Sequence, residues 1–359
     1  RIETSDSYVM ENDFIKVAFN TNDASILSFI DKRNNTEMVD KNRPSGIFRL
    51  IHEDDGKGMT AWIVGRYMDI TNLNRDVKIG KVNLDGNSLR QWISYEIIFE
   101  SSKLKAIVSL DKNSSRLNYD VISDWKEIAE KGRYIPQLNF HMPMGYKCEK
   151  YMYDIPFGTI ERDGTDMDVP ANSWVAGIPK ERSGSALMLV TATKYGFRGM
   201  GDSMSITLIR SSYDPDPYPE YGIHKFRFAV GIENPEVKCE LVRHAFNYNH
   251  PLNFISSVVH NGTLPLVNSF LSLEGGNIAI SSVKMPEENN GCNRLIIRVY
   301  ETEGVKAQAA LKFNADVVKA YFTDINEKTI TIGASIRIER NIVEFEVEKY
   351  SVASVCVEF

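Results

Sequence analysis

Residues 151–230 hold aromatic, guanidinium and carboxylate side chains in segments that are predicted to be loops. Short apolar runs at Ser185–Thr193, Met204–Arg210 and His224–Val230 are separated by polar turns rich in Gly and Pro. This pattern predicts antiparallel strands joined by loops. A rigid sheet that presents such groups on its loops would suit recognition of a sugar. The side chains concerned are Trp174, Tyr195, Arg198, Asp202, Arg210, Tyr213, Tyr218 and Tyr221.

Three carboxylates in the same stretch could act as general acids or bases. Asp163 lies in a D-G step, and Asp214 and Asp216 lie in the run D-P-D-P. Asp before Gly or Pro favours a turn, because its side chain bonds the neighbouring backbone. We therefore predict turn formation rather than catalysis for all three.

The histidines do not have the spacing of a metal site. His244 and His250 are the closest pair, and a separation of six residues suits neither a helix face nor a strand face. His224 alternates with Phe226 and Phe228, which favours a partly buried, hydrogen-bonded histidine over a catalytic one. We predict no metal site and no catalytic residue within the chain. The remaining histidines are His52, His141 and His260.

Composition excludes several classes of function. The 359 residues are 43% hydrophobic and 25% charged, with a net charge of −6 and no basic block, which argues against a nucleic-acid partner. No apolar run is long enough to span a bilayer. Four widely spaced cysteines predict separate thiols, and with them a reducing, cytoplasmic location. These are Cys148, Cys239, Cys292 and Cys356. Because the sequence begins without Met, we expect a fragment of a longer protein.

The elements that position these residues are predicted to be strands. In the run Leu117–Val121, apolar and polar residues alternate, which indicates a strand with one buried face. Helical periodicity is nearly absent, so the predicted class is all-β. The segment Ala245–Pro265, rich in Asn, His and Pro, predicts a boundary between a large domain at 1–250 and a smaller one at 251–359.

Six ordered segments within residues 151–230 resemble the C-terminal β-sandwich part of the family 38 glycoside hydrolases, the α-mannosidases. Further similarities, at Phe14–Ile30, Ala61–Tyr67, Asp124–Glu127 and in RLIIRVYETEG, extend the resemblance over essentially the whole chain. It implies a large antiparallel supersandwich of galactose mutarotase-like fold, followed by a smaller β-sandwich domain. The six segments are Asp154–Arg162, Val169–Trp174, Lys194–Gly196, Leu208–Ser211, Asp214–Pro219 and Gly222–Ala229.

Two aromatics of the Ala61–Tyr67 segment, Trp62 and Tyr67, could be core residues or could face a preceding domain of such an enzyme. We favour core burial for both. Trp125, which closes the strand at Asp124–Glu127, is likewise predicted to be a core residue.

The resemblance implies a non-catalytic role for this chain. Family members are retaining mannosidases whose nucleophile and zinc ligands lie in an N-terminal α/β domain, and no residue here matches those motifs. This chain alone is therefore expected to be inactive and to need no cofactor, with zinc held by its own N-terminal catalytic domain. Its expected partners are that domain and mannosides or mannose-containing oligosaccharides, and a homo-oligomer stays open.

The loop that follows the KYG motif is the candidate for contributing to the rim of the sugar site. The rim candidates are Arg198, Gly199 and Asp202, because Arg can bond a carboxylate and a sugar hydroxyl while Gly lets the backbone come close. The alternative is a hairpin loop with a solvated arginine.

Two other functions compete with the scaffold interpretation. An independent carbohydrate-binding module would show two or three aromatics on one exposed face. A free-standing, mutarotase-like enzyme would need a His and Glu pair for proton transfer at the sugar, and no specific pair is evident.

Overall fold

The structure is a computed structural model that describes residues 7–181, 184–216, 220–288, 291, 293–331 and 335–359. The chain divides into two compact units. Unit 1 comprises the described residues of Arg1–Asp154 and Ile160–Glu236, and unit 2 comprises Ile155–Thr159 and those of Val237–Phe359. The sequence boundary was predicted at 250/251, whereas here the division after Glu236 assigns the helix described below to unit 2.

The strands up to residue 236 form three antiparallel sheets. Their orders are β1-β2-β3-β4, then β13-β12-β15-β16-β19-β10-β9-β8-β7 with nine strands, and β14-β17-β18-β11-β5-β6 with six. The bounds are β1 (Ser7–Glu11), β2 (Ile15–Asn20), β3 (Ile26–Asp31), β4 (Thr36–Glu37), β5 (Ile47–Glu53), β6 (Tyr67–Asn72), β7 (Val77–Asn83), β8 (Arg90–Phe99), β9 (Ser102–Asp111), β10 (Arg116–Trp125), β11 (Ile135–Pro143), β12 (Cys148–Ile155), β13 (Gly158–Arg162), β14 (Val169–Pro170), β15 (Trp174–Pro179), β16 (Ala186–Thr191), β17 (Gly196–Gly199), β18 (Ser203–Arg210) and β19 (Gly222–Glu233).

The nine- and six-stranded sheets pack face to face through aromatic side chains. Phe140 of β11 lies 5.0 Å from Tyr119 of β10 and 4.5 Å from Phe228 of β19, measured between ring centroids. Phe48 of β5 contacts Phe140 and Phe228 edge-on. All four rings are buried, so the core of unit 1 lies between the two sheets.

Alternation along β10 follows the prediction. Leu117, Tyr119 and Val121 are buried, and Asp120 between them is exposed. Trp125 at the end of the strand is fully buried, and its indole nitrogen donates to Ser211 Oγ at 2.8 Å. The prediction that Trp125 is a core residue is confirmed.

Unit 2 is a smaller sandwich of two four-stranded sheets, β20-β23-β26-β25 and β21-β22-β27-β24. Phe345 of β26 packs edge-on against Phe322 of β24, which joins the two sheets in one apolar core. The bounds are β20 (Leu271–Glu274), β21 (Ile278–Lys284), β22 (Arg294–Glu301), β23 (Ala307–Phe313), β24 (Lys319–Thr323), β25 (Arg337–Glu339), β26 (Ile342–Val347) and β27 (Val352–Glu358).

Among the described residues one helix forms, α1 (Lys238–Asn249), in a stretch for which the sequence predicted no helix. Its buried positions include Leu241, His244, Ala245 and Tyr248, which have the spacing of one helix face. Two of these four side chains carry polar atoms, and no side chain caps the N-terminus, so the apolar stripe is masked in the sequence. The expected all-β class, a large supersandwich followed by a smaller sandwich, is confirmed with this one addition.

Candidate functional site

The six-stranded sheet has a polar face opposite its core face. Along β11, Gln137, Asn139 and His141 alternate with the core residues Leu138 and Phe140. Gln137 and Asn139 are nevertheless fully buried. Buried polar groups on this scale must be satisfied by one another, and loops and neighbouring strands supply the partners.

Asp168, just before β14, is one centre of this polar face. Its carboxylate accepts from Arg198 Nε at 2.8 Å and from Thr207 Oγ1 at 2.6 Å, and the Tyr67 hydroxyl lies 2.9 Å away. The side chains of Arg198 and Asp168 are only 11% and 4% exposed. A pair so well shielded from water interacts much more strongly than a surface pair.

Tyr67 and Arg198 also stack. The guanidinium carbon of Arg198 lies 3.3 Å from the centroid of the Tyr67 ring, a cation–π contact in a desolvated setting. Burial, and after it the charge of Asp168, raises the pKa of Tyr67 far above its ordinary value. Tyr67 therefore stays a neutral phenol. It is half-buried on the polar face and is not among the core residues, so the prediction of core burial is wrong for Tyr67.

Glu53, at the end of β5, is the second centre. It receives Arg210 Nε at 2.9 and 3.0 Å, Gln137 Nε2 at 2.6 Å and the Gly65 amide at 3.1 Å. Glu53 has no exposed side-chain surface, and that of Arg210 is 13% exposed. Burial raises the pKa of Glu53 above its ordinary value even though Arg210 opposes the shift.

The rest of the Arg210 guanidinium holds the loop between β5 and β6. It donates to the carbonyl oxygens of Thr60 and, at 2.9 Å, of Ile63. This fixes the loop backbone while Trp62 projects outward, 72% exposed. The prediction that Trp62 is a core residue is wrong, because the loop is anchored through its backbone and not through its aromatic side chain.

The three rim candidates lie at and beyond the end of β17. Arg198 is directed into the buried network, so the alternative of a solvated arginine is contradicted. A Cβ on Gly199 would lie 2.3 Å from the Tyr151 ring, so only glycine fits there. Asp202 follows Gly201, and both residues have positive φ, at 56° and 59°.

Asp202 is bound tightly for a turn residue. Its carboxylate accepts from Lys147 Nζ at 2.6 Å and from the Cys148 amide at 2.9 Å. Burial acts to raise the pKa of Asp202, but these contacts outweigh it, and the pKa lies below its ordinary value. Arg43 donates to the Asp202 carbonyl oxygen at 3.3 Å and so ties the turn to the loop after β4.

Asp202 also lines a groove of about 470 Å³ in unit 1. The polar side chains around it could bond hydroxyl groups, with carboxylate and amide acceptors beside ammonium and guanidinium donors. These are Glu37, Asp40, Lys41, Asn42, Arg43, Lys147 and Asp202.

The remaining sugar-contact candidates are not brought together on loops. Trp174, Arg198 and Arg210 lie on β15, β17 and β18, and Trp174 is 1% exposed, so for these three the loop prediction is wrong. Tyr195 and Tyr221 are exposed outside the strands. Tyr218 lies outside the described residues, as does part of the Asp214–Pro219 segment.

The turn prediction for Asp214 and the prediction of a partly buried His224 agree with the structure, whereas Asp163 and Asp216 lie in neither a turn nor a bend. Asp214 lies in a bend, and its Oδ2 accepts from the Met59 amide at 3.2 Å. His224 is half-buried and bonds the Glu220 carbonyl oxygen at 2.9 Å. Within the described ranges, no cluster of three or more His, Cys, Asp or Glu side chains could hold a metal ion. The zinc that the family resemblance implies therefore has no fitting ligand set among them.

Sequence reasoning missed Glu53, Gln137 and Asp168. Glu53 closes an apolar strand and Asp168 lies in the polar run DGTDMD, so each looks like an ordinary turn acid. Their partners lie 157 and 30 residues further along the chain, and no local pattern reports such pairing.

Two other findings bear on the environment of the chain. Among the three cysteines that the structure describes, Cys148, Cys239 and Cys356, no disulfide forms, and Cys292 lies outside the described residues. No described helix is both long and apolar enough to cross a membrane.

Two family models match the sequence. The glycosyl hydrolases family 38 C-terminal domain matches residues 10–218, more than half of the chain. The glycosyl hydrolases family 38 C-terminal beta sandwich domain matches residues 277–355.

Relatives and solved structures agree with this match. Alpha-mannosidase G of Dictyostelium discoideum is 21% identical over 345 residues, which cover 90% of this chain and 30% of that protein. An alpha-mannosidase of Saccharomyces cerevisiae is 23% identical over 85% of this chain and 30% of its own length. The crystal structure of an alpha-mannosidase from Enterococcus faecalis V583 covers 98% of this chain and 42% of that one, with 15% identity and a TM-score of 0.73. The chain thus spans about a third of the length of these curated relatives.

Proposed function

The chain belongs to the C-terminal domains of glycosyl hydrolase family 38, and from this membership we propose that it is the non-catalytic part of a zinc-dependent α-mannosidase. The observation that carries the proposal is the family match over residues 10–218 together with relatives that are about three times as long. In this proposal the nucleophile and the zinc ligands lie outside the chain, in an N-terminal α/β catalytic domain. The described residues scaffold that domain and contribute to the rim of its sugar site.

The rim contribution is assigned to the turn that follows β17. Asp202 presents its carboxylate to the groove lined by Asp40, Arg43 and Lys147, where sugar hydroxyls find both donors and acceptors. Arg198 lies at the base of this turn, and Gly199 lets it pass close to Tyr151. The substrate class is a mannoside or mannose-containing oligosaccharide, and the proposed location is the cytoplasm.

The scaffold proposal is tested with a chromogenic α-mannoside, with and without added zinc. We expect no turnover by this chain and zinc-dependent turnover by the longer protein that includes the preceding catalytic domain. Turnover by the 359-residue chain alone would overturn the proposal, because the reacting carboxylates would then lie within it.

The rim assignment is tested in the longer enzyme with Arg198→Ala and Asp202→Asn. We expect both variants to lower kcat/KM. Thr207→Val is the matched control, because it also removes one bond to Asp168 without altering the turn. An unchanged kcat/KM in the rim variants, or an equal loss in the control, would contradict a direct rim role.

One observation favours a second function, an independent carbohydrate-binding module. Trp62 is 72% exposed on an anchored loop, which suits stacking on a sugar ring. This alternative predicts quenching or a shift of tryptophan fluorescence in the isolated chain by methyl α-mannoside, lost in Trp62→Ala. Absence of a saturable fluorescence change in the native chain would exclude the carbohydrate-binding alternative.

A further inference from the structure

The polar face of the six-stranded sheet contains more positive than negative charge. Three guanidinium groups, those of Arg49, Arg198 and Arg210, share it with two carboxylates, those of Glu53 and Asp168. Arg210 is paired with Glu53 and Arg198 with Asp168. The third guanidinium, on Arg49, leaves one positive charge in excess.

Arg49 is the residue without a counter-ion. It is 8% exposed, and its Nε and Nη2 both donate to the amide oxygen of Asn139, at 3.1 and 2.8 Å. No carboxylate in the described part of the chain makes an ion pair with it. Burial lowers the pKa of Arg49 to about 10, and the charge of Arg198 acts in the same direction, while Tyr67 and Asp168 oppose the shift. At neutral pH the group still keeps its charge, and a buried charge without a directly paired counter-ion is strongly unfavourable.

Two neighbouring groups have unused hydrogen-bonding capacity. Arg198 Nη2 and His141 Nδ1 are both buried, and neither has a hydrogen-bond partner among the described residues. His141 lies opposite Ser205, which is paired on its other side with Arg198, while Arg49 faces Asn139 two residues before His141 on β11. Burial first, then Arg49 and Arg43, lower the pKa of His141 well below its ordinary value. The ring is thus neutral and can donate through Nδ1.

We propose that this face binds one small anion, most simply a carboxylate, at the guanidinium groups of Arg49 and Arg198. The anion supplies the missing negative charge for Arg49 and accepts the free N–H of Arg198. Guanidinium groups suit this role because their planar forks match a carboxylate. A bound water could satisfy the hydrogen bond but could not neutralise the charge, and this difference makes the proposal testable without reference to mannosidase activity.

The test follows the linewidth of [13C]formate in NMR spectra of the 359-residue chain. In the native protein we expect saturable broadening that unlabelled acetate reverses. Arg49→Gln is expected to weaken formate binding at least about tenfold. Arg90→Gln is the matched control, since Arg90 is exposed and paired with Asp111, and it should bind formate like the native chain. Competition by sulfate as strong as by acetate would identify the site as one for oxyanions in general, whereas weak competition would identify it as selective for carboxylates.

A second variant keeps the test decisive if Arg49→Gln fails to fold. Asn139→Asp replaces the amide that contacts Arg49 with an isosteric carboxylate and so provides an internal counter-ion. We expect this variant to lose formate binding and to have a higher Tm than the native chain. Absence of saturable broadening in the native chain would overturn the proposal, as would a lower Tm of Asn139→Asp with formate binding retained.

Discussion

The two faces of the six-stranded sheet are built from alternate residues of the same strands, yet different forces stabilise them. On one face, Phe48 and Phe140 pack among the rings of the opposite sheet. On the other, Glu53 and Asp168 each collect one guanidinium and further hydrogen-bond donors. On the apolar face, loss of side-chain volume lowers stability. On the polar face, loss of a charged or hydrogen-bonding partner lowers stability. The difference follows from the strand period of two, which directs neighbouring residues to opposite faces.

The largest loss of stability is expected for a substitution on the apolar face. Phe140→Ala should lower the free energy of unfolding by about 3–5 kcal/mol, because it removes a fully buried ring and leaves a cavity. Urea unfolding measures this, and Leu89→Ala, at a 79% exposed position, serves as control with a change within about 0.5 kcal/mol. A similarly small change for Phe140→Ala would mean that the two sheets do not share this core.

On the polar face, Arg210→Met should cost about 3 kcal/mol, since it leaves the buried Glu53 without its counter-ion. The exposed pair of Arg90 and Asp111 provides the comparison, and Arg90→Met should cost less than about 1 kcal/mol. The same urea experiment reports both values. Equal costs would show that burial does not distinguish the two pairs.

The contributions of Glu53, in the buried network, and of Asp202, in the turn after β17, to stability should depend on pH in opposite directions. Folding raises the pKa of Glu53 above its ordinary 4.5, so its stabilising contribution is complete below that pH and is lost as the pH rises through the raised value. Folding lowers the pKa of Asp202 below 3.8, so its contribution is present above 3.8 and is lost as the pH falls through the lowered value.

Urea unfolding of Glu53→Gln and Asp202→Asn against the native chain, from about pH 3 to about pH 7, measures these slopes. The cost of Glu53→Gln should be greatest at the acid end of this range. The cost of Asp202→Asn should be greatest at neutral pH. Slopes of the same sign would contradict the contrast between the buried centre and the partly exposed turn.

The smallest change in the free energy of unfolding is expected for the exposed Trp62, on the loop between β5 and β6. Trp62→Ala should change the free energy of unfolding by no more than about 0.5 kcal/mol, because Arg210 and Glu53 hold this loop through backbone groups. Thermal unfolding of the variant is sufficient to measure it. A cost comparable to that of Phe140→Ala would show that the tryptophan is covered.

Several features could be predicted from the sequence because local rules decide them. The alternation around Tyr119 gave the strand and its buried face, and Trp125 was placed correctly in the core. The turn interpretation of Asp214 held because Asp before Pro favours a bend whatever surrounds it. The family could be predicted because ordered short segments along the chain matched it together.

Only the tertiary structure decided the rest. Glu53 and Arg210 meet from positions 157 residues apart, and neither residue type reveals such a partner. Trp62 was misplaced because hydrophobicity alone predicts burial, whereas the bonds that fix its loop come from the backbone. Helix α1 was hidden because His244 and Tyr248 face inward although their types are common on surfaces. In each case, the sequence determined which side chains each strand, helix or loop carries. Whether such a side chain is buried, and which charge it pairs with, depends on distant residues that the fold brings next to it.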